Sequence, residues 1–319
     1  MDAPALPALP VVRTVLRTPD ACFRDLPDFP WAPRFDEVGG LRIASVDVGP
    51  RDAPVVLLLH GEPTWSFLYR RMIPVLVEAG LRAVAPDLVG FGRSDKPAHA
   101  ADLSYARQVA WTSVWLQARD LRGVTLFCQD WGSLIGLRMA AELPDRFDRI
   151  VLSNGGLPTG VPPMPRAFRL WRAFARYSPW FPIGRVVAAG CARGLGPRER
   201  AAYDAPFPTR RHRAAARAMP GFVPDSADDP EHAANERAWA VFRAWDKPFL
   251  TLFGTRDPIT RGGDTPWQAQ VPGARGLPHR RIRGAGHFVQ EDAGAELARE
   301  IVALVRATPG AGGPVTPGT

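Results

Sequence analysis

Cysteine is scarce in this chain. Its 319 residues include 3 cysteines, Cys22, Cys128 and Cys191, which lie far apart and form no C-x-x-C pair. This spacing argues against a disulfide framework and against a cysteine-ligated zinc site, so we expect no metal and no cofactor. Such sparing use of cysteine fits a reducing compartment, and we expect a cytoplasmic protein.

Long apolar runs and targeting patterns are also missing. The N-terminus has an early acid and several prolines, where a signal peptide would have a basic start followed by an unbroken apolar block. No apolar stretch is long enough to cross a bilayer, and no internal repeat is visible. We therefore expect no membrane partner.

The chain carries an excess of basic residues but no basic stripe. Its formal net charge is +8, and the densest basic segments are residues 210–213 and 279–283. Arginines are otherwise spread along the whole sequence, which is typical of a solvated surface and not of a phosphate-binding stripe. We predict no nucleic-acid partner.

What the sequence does contain is an alternation of apolar runs and helical periods. With 46% hydrophobic residues the chain can bury a large core without covalent cross-links. Residues 55–59 form an uninterrupted apolar run, which is typical of a strand buried on both faces of a parallel sheet. Further strand-like runs occur at residues 82–85, 124–128, 149–153 and 249–253. An antiparallel hairpin through Gly39-Gly40 precedes them.

One segment interrupts this alternation. Residues 158–237 are rich in proline and bulky aromatics, contain amphipathic pieces and lack a buried-strand run. We therefore predict an α/β fold whose mostly parallel central sheet is flanked by helices. Its core comprises residues 1–157 and 238–306, and residues 158–237 form an inserted helical cap. Residues 307–319 are expected to be disordered.

The chain is organised around residues 124–136, where an apolar run reaches a polar corner and continues as a helical pattern. Asp130 occupies the corner, with the small residues Cys128 and Gly132 on either side. This is the spacing of a nucleophile elbow, with aspartate in place of serine. By itself the pattern is weak, because an aspartate at such a junction is more often a helix cap.

Two later residues strengthen this interpretation. Asp257 follows the strand predicted at residues 249–253, and His287 follows the small residues 284–286 after the next strand. The carboxyl ends of parallel strands share one edge of a sheet, so Asp130, Asp257 and His287 can converge there. Nucleophile, acid and histidine is also the chain order of α/β-hydrolases.

Four motifs resemble those of the haloalkane dehalogenases. They are HGEPTWS at residues 60–66, GFGRSDKP at 90–97, QDWG at 129–132 and GHFVQE at 286–291. The sequence is most similar to the subfamily whose triad acid follows the later strand, because no carboxylate directly follows the strand that ends near Asn154. Asp257 is accordingly the matching acid. Ser133 departs from the glycine that is more common at its position.

The resemblance implies a two-step hydrolysis of small halogenated hydrocarbons, with water as co-substrate and halide as product. Asp130 would displace halide to form an alkyl ester, and His287, oriented by Asp257, would activate water to hydrolyse it. The resemblance assigns the oxyanion-stabilising amides to Glu62 and Trp131. It leaves open whether the Glu62 carboxylate is a like charge beside Asp130 or binds the hydrolytic water.

The departing halide requires N–H donors in a dry pocket. Here the resemblance implies the indoles of Trp131 and a tryptophan of the inserted segment. Trp171 matches that position best, and Trp180 is the alternative.

Two other functions are compatible with the same fold. An epoxide hydrolase shares the aspartate nucleophile but needs two tyrosines in the inserted segment, where the candidates are Tyr177 and Tyr203. A non-catalytic ligand-binding protein would keep the pocket without the chemistry, which an intact triad disfavours. The sequence assigns neither the preferred haloalkane nor the oligomeric state.

Overall fold

The computed structural model describes Leu9 and residues 11–308. Its strands are β1 (Val15–Leu16), β2 (Arg34–Val38), β3 (Leu41–Val48), β4 (Val55–Leu59), β5 (Arg82–Pro86), β6 (Lys96–Pro97), β7 (Val124–Gln129), β8 (Phe147–Ser153), β9 (Phe249–Gly254) and β10 (Arg280–Ile282). Its α-helices are α1 (Ile73–Glu78), α2 (Tyr105–Ala118), α3 (Trp131–Glu142), α4 (Arg166–Tyr177), α5 (Ile183–Gly190), α6 (Pro197–Asp204), α7 (Ala214–Ala218), α8 (His232–Arg243), α9 (Thr265–Gln270) and α10 (Val289–Ala307).

In the described part of the chain, one eight-stranded sheet has the order β10-β9-β8-β7-β4-β5-β3-β2. Strands β10 to β5 of this order pair in parallel, whereas β3 pairs antiparallel with both β5 and β2. Every residue of β4, β7 and β9 is buried, as expected for strands covered by helices on both faces. The predicted, mostly parallel sheet and its antiparallel start are confirmed.

The hairpin between β2 and β3 has the turn that its two glycines favour. Val38 pairs with Leu41, and Gly39 and Gly40 have φ of +57° and +77°. Positive φ at both turn positions is inexpensive for glycine and matches the twist of the flanking strands.

The inserted segment is helical. Helices α4 to α7 follow β8, and residues of α4 and α5 face the carboxyl edge of the sheet across a cavity. Helix α8 behaves differently, because it packs on α3 and its Trp239 side chain donates a hydrogen bond to the Leu157 carbonyl at 2.8 Å. The boundary expected at residue 237 therefore falls inside a helix that lies against the core.

Helix bounds differ from the sequence expectations at three places. The helical spacing of residues 68–79 predicts one helix, whereas the structure has a 3-10 turn, Ser66–Tyr69, followed by α1. The helical spacing of residues 294–306 predicts the last helix, but in the structure this helix starts five residues earlier, at Val289. It is interrupted at Ala293, where φ is −144° and ψ is 29°. Ala307, expected in the disordered tail, ends α10, while residues 309–319 lie outside the described residues.

Of the helices in residues 11–308, none has the length and apolar character needed to cross a membrane.

Candidate active site

A cavity of about 720 Å³ lies between the carboxyl edge of the sheet and the inserted helices. Asp130, His287 and Glu62 line it from the core. Aromatic side chains of the inserted segment line the opposite wall, namely Phe168, Trp171, Phe174 and Trp180. Polar groups thus face an apolar wall, which is the usual composition of a small-molecule site.

Asp130 lies at the turn between β7 and α3, with φ of +52° and ψ of −129°. Such a backbone is costly for a residue other than glycine, and it is sustained by close packing around the turn. A Cβ atom at Gly132 would lie 2.0 Å from the Leu59 carbonyl oxygen, and one at Gly61 would lie 2.2 Å from Asp130 Oδ1. Glycine at both positions allows the backbone to approach the corner, as the elbow pattern requires.

Ser133, the departure from the family pattern, also fastens this turn. Its hydroxyl donates to the Asp130 carbonyl oxygen at 2.5 Å and accepts a hydrogen bond from the Gly156 amide at 2.8 Å. A glycine at position 133 has no side chain to make these bonds. The serine therefore ties the elbow to the loop that follows β8.

The Asp130 carboxylate contacts two groups expected at the site. Its Oδ1 atom accepts a hydrogen bond from the Glu62 amide at 2.7 Å, and its Oδ2 atom lies 3.4 Å from His287 Nε2. Trp131, the other residue expected to supply an amide, is the first residue of α3, where backbone N–H groups have no partner within the helix.

Asp257 holds the other side of His287. Its Oδ2 atom lies 3.0 Å from His287 Nδ1 and also accepts a hydrogen bond from the Thr260 hydroxyl, while Oδ1 accepts one from the Ile259 amide at 2.8 Å. Burial raises the pKa of Asp257, but His287 and these donors lower it to about 2. The carboxylate is therefore ionised at neutral pH and keeps Nδ1 protonated.

His287 itself is protonated in this arrangement. Burial lowers the pKa of His287, whereas the charge of Asp257 and the contact with Asp130 raise it, with a net value of about 10. Two carboxylates on opposite ring nitrogens favour the imidazolium form. Removing the charge of either carboxylate would lower this pKa.

Asn154 is a buried positioning residue that the sequence interpretation missed. It follows β8, its carbonyl oxygen accepts from the Asp130 amide at 3.1 Å, and its Oδ1 atom accepts from the Gly254 amide at 2.7 Å. Its Nδ2 atom donates to the carbonyl oxygens of Gly286 and His287, at 2.7 and 2.9 Å. Through its carbonyl group and its side chain, Asn154 thus connects the turns that carry all three predicted triad residues. The signal for Asn154 in the sequence is its position directly after a predicted strand.

Glu62 supplies a carboxyl group as well as an amide. Burial raises the pKa of Glu62 well above its usual range, and the charge of Asp130 raises it further. His287 and the Trp171 side chain act in the opposite direction but do not reverse the shift. The like-charge alternative is therefore disfavoured, because a neutral Glu62 can lie beside the Asp130 carboxylate.

The three candidate halide donors occupy different environments. Trp131 is buried at the start of α3, with its ring centroid 5.2 Å from that of Tyr105, and it is not among the described residues that line the cavity. Trp171 and Trp180 both line the cavity, but Trp180 is 60% exposed. Trp171 is more sheltered, because Phe181 stacks against its ring at 5.8 Å.

The tyrosines that an epoxide hydrolase needs do not meet in the cavity. Tyr177 is 72% exposed, whereas Tyr203 is fully buried and its hydroxyl donates to Glu291. Neither is among the cavity-lining residues of the described chain. Protonation of an epoxide oxygen by this pair therefore has no support in the structure.

Comparison with known proteins identifies the family to which the chain is similar. Residues 54–294 match the family model of the alpha/beta hydrolase fold. The chain is 53% identical over 293 residues to a haloalkane dehalogenase of Mycobacterium marinum, covering 90% of this chain and 98% of that protein. It is 52% identical over 299 residues to haloalkane dehalogenase 1 of Mycobacterium tuberculosis, covering 92% and 99%. The tetrameric haloalkane dehalogenase DpaA of Paraglaciecola agarilytica superposes with a TM-score of 0.84 at 34% identity, covering 91% of this chain and 98% of that one.

Proposed function

Because this chain belongs to the haloalkane dehalogenases of the α/β-hydrolase fold, we propose that Asp130, His287 and Asp257 carry out its hydrolysis of carbon–halogen bonds. The observation that supports these roles best is the chain of contacts at the cavity floor. Asp130 lies on a strained turn 3.4 Å from His287, which in turn lies 3.0 Å from Asp257. The apolar wall above them suits a small halogenated hydrocarbon.

In the first step, one Asp130 carboxylate oxygen attacks the carbon that bears the halogen. A carbon–oxygen bond forms as the carbon–halogen bond breaks, and its electron pair leaves with the halide. The product is an alkyl ester of Asp130. This step requires no base, because a carboxylate is already a nucleophile.

In the second step, His287 takes a proton from water, and the hydroxide attacks the ester carbonyl carbon. The amides of Glu62 and Trp131 stabilise the oxyanion of the tetrahedral intermediate. When the intermediate collapses, the alcohol leaves with the proton held by His287, and the hydroxyl group from water stays on Asp130. Release of this carboxyl proton to solvent restores the Asp130 carboxylate. Asp257 keeps the imidazole oriented throughout and stabilises its positive charge.

The charge of Asp130 determines when His287 can act as a base. Ester formation removes the negative charge of Asp130, which is one of the influences that raise the pKa of His287. The pKa of His287 therefore falls once the alkyl-enzyme forms, and the imidazole can release its proton and act as a base. A base thus becomes available after the first step, when the mechanism needs it.

The inserted helices α4 to α7 form the cap over this site in our proposal, and they contribute the halide donor. Trp171 of α4 lines the cavity, and its indole N–H can donate to a departing anion. Trp131, adjacent to the nucleophile, supplies the second indole. Trp180 is less suited, because its exposed ring leaves the halide open to water.

The proposed reaction consumes water as co-substrate and uses no cofactor. The cysteines of the described chain are unpaired, which favours a reducing compartment, and we propose a cytoplasmic location. No nucleic-acid or membrane partner enters the proposed function.

Trapping of the ester tests the mechanism. In His287→Phe the first step proceeds but hydrolysis stops, so incubation with 1,2-dibromoethane should produce a bromoethyl adduct on Asp130. Intact-mass and peptide mass spectrometry would locate it. The matched control is the double variant with Asp130→Asn, which should remain unmodified. An unmodified His287→Phe variant with normal bromide release would refute the assignment.

A further inference from the structure

A second cavity, of about 570 Å³, lies beside α4 and α7, and four arginines line it. They are Arg176, Arg210, Arg211 and Arg217, and we call this cavity the arginine pocket. Its remaining lining is apolar or small, with Phe222 as the largest such side chain. No aspartate or glutamate is among the described residues that line it.

The charge of the arginine pocket is not neutralised. None of its four guanidinium groups forms an ion pair with a carboxylate in the part of the chain that the structure describes. By contrast, Arg172, one turn before Arg176 on α4, pairs with Asp225 at 2.5 Å. Burial lowers the pKa of Arg217, and the neighbouring charges of Arg210 and Arg213 lower it further. The positive charges that line this cavity therefore repel one another, which is energetically unfavourable.

We propose that the arginine pocket binds a small molecule bearing a multiply charged phosphate group. Guanidinium groups present forked donors that match phosphate oxygens, and several in one cavity select for multiple negative charge. The apolar lining around Phe222 can hold an organic moiety of the same ligand. A nucleic-acid strand is a poorer fit, since it requires an extended basic stripe, whereas these residues enclose one cavity.

From the sequence alone, residues 210–213 are expected to form a solvated surface, but two of these residues line the arginine pocket. Arg210 and Arg211 are exposed, but they converge with Arg176 of α4, which precedes them by more than thirty residues. The helical fold of the inserted segment produces this convergence. Sequence spacing alone does not show it.

The arginine pocket connects physically to the substrate cavity. Arg217 lies 5.2 Å over the ring of Phe181 and donates a hydrogen bond to the Ser178 carbonyl oxygen, just after α4. Phe181 stacks on Trp171, which lines the substrate cavity. An anion bound by Arg217 therefore acts on the neighbours of the proposed halide donor. This regulatory consequence rests on the function proposed for Trp171, whereas binding itself does not.

Isothermal titration calorimetry with inorganic pyrophosphate, in a chloride-free buffer, tests binding. We expect saturable 1:1 binding to the full-length protein, also in Asp130→Asn, because catalysis plays no part. The double variant Arg210→Ala/Arg211→Ala, which leaves the Arg217 contacts intact, should bind at least about tenfold more weakly through loss of charge-assisted bonds. Arg176→Ala provides a second, separate test.

The matched control is Arg283→Ala, which removes an exposed arginine outside the arginine pocket. Its affinity should equal that of the unmodified protein, and an unchanged melting temperature would verify that each variant is folded. Absence of saturable binding, or an equal loss of affinity in Arg283→Ala, would overturn the proposal. Pocket-dependent binding of an RNA oligonucleotide or an acidic peptide without binding of pyrophosphate would also overturn it.

The regulatory consequence has its own readout. Pyrophosphate at saturation should shift the bromide concentration that half-quenches tryptophan fluorescence, and the shift should disappear in Arg210→Ala/Arg211→Ala. Pyrophosphate binding with unchanged bromide quenching would overturn regulation. A failure of the proposed dehalogenation chemistry would instead show in the ester-trapping experiment, independently of pyrophosphate.

Discussion

The two walls of the substrate cavity are built by different physical means. On the core side, the Asp257 carboxylate is fixed by hydrogen bonds from His287, Thr260 and Ile259, which leave its position little freedom. On the inserted side, Trp171 is held by the rings of Phe174 and Phe181, both 5.8 Å away. Directional bonds fix the groups that make and break bonds, whereas stacked rings tolerate small shifts.

This difference suggests a division of labour. The core wall sets which chemistry occurs, because nucleophile and base must be aligned closely. In our proposal, the inserted wall determines which substrates fit and how the halide is stabilised. Substitutions on the two walls should therefore affect different steps of the reaction.

The largest expected effect is on the core wall. Asp130→Asn should abolish halide release, because a neutral amide is a poor nucleophile at saturated carbon. Ion chromatography of released bromide with freshly prepared protein would measure it. Slow deamidation restores aspartate, so peptide mass spectrometry must show the asparagine intact. Full turnover by a variant whose asparagine is intact would refute the assignment of Asp130 as the nucleophile.

A smaller effect is expected on the inserted wall. Trp171→Phe keeps most of the apolar area but removes one N–H donor, so carbon–halogen cleavage should slow by roughly a hundred- to a thousand-fold at most. Rapid-quench measurement of alkyl-enzyme formation isolates this step, and bromide quenching of fluorescence should weaken in parallel.

Trp180→Phe is the matched control for this prediction. It should leave both measurements nearly unchanged, since Trp180 is largely exposed. If Trp180→Phe rather than Trp171→Phe removes the quenching, the assignment within the inserted segment is reversed. If neither does, the halide donor expected from the inserted segment lies elsewhere.

One residue joins the two walls. The Asp292 carboxylate accepts hydrogen bonds from the amide of Gly286 on the core side at 2.8 Å, and from the amides of Ala192 and Arg193 on the inserted side at 2.9 and 3.0 Å. In addition, the Gly190 carbonyl oxygen accepts from the His287 amide at 2.7 Å. The inserted segment thus helps to position His287.

Asp292→Asn tests this link. In asparagine, an NH2 group replaces one of the two acceptor oxygens and faces backbone N–H groups, so at least one hydrogen bond is lost. The loop that carries His287 should then shift, and ester hydrolysis should slow by roughly tenfold. A positioning role predicts that alkyl-enzyme accumulates at steady state while its rate of formation is unchanged. A variant that only loses thermal stability, with both rates intact, would limit Asp292 to a structural role.

The smallest effect is expected at Glu62. Burial and the charge of Asp130 raise the pKa of Glu62 well above its usual range, which favours the neutral carboxyl group. Glu62→Gln imitates that neutral form in charge and shape, so kcat near neutral pH should remain within severalfold of the original. Glu62→Ala, which deletes the polar group, is the comparison variant and should be slower. Loss of activity in Glu62→Gln as large as that in Glu62→Ala would imply an essential, ionised carboxylate.

The sequence predicted the core wall far better than the inserted wall. Buried runs such as β4 and β7 have few alternatives to a parallel sheet, and the order of the three triad candidates then brings them to one edge. The choice between Trp171 and Trp180 depended on which ring is sheltered. That depends on the packing of short helices, which residue periodicity does not determine.

Positioning residues were the hardest to predict. Asn154 and Asp292 bond to backbone groups that are remote in sequence, and neither carries a distinctive motif of its own. The break at Ala293 escaped prediction for a similar reason. Gly294, which follows the break, packs closely against the segment that precedes α1. A Cβ atom added at Gly294 would lie 3.1 Å from Arg71 Cβ.

The bonds of Asn154 have a consequence for motion over minutes to hours. The amide protons of Asp130 and Gly254 are both donated to this one residue, which also holds the carbonyl groups of Gly286 and His287. If one of these turns opens, the hydrogen bonds that Asn154 makes to the other turns must break as well. The amides of Asp130 and Gly254 should therefore exchange with deuterium at a common rate, as members of one cooperative unit, while the cap above them exchanges faster.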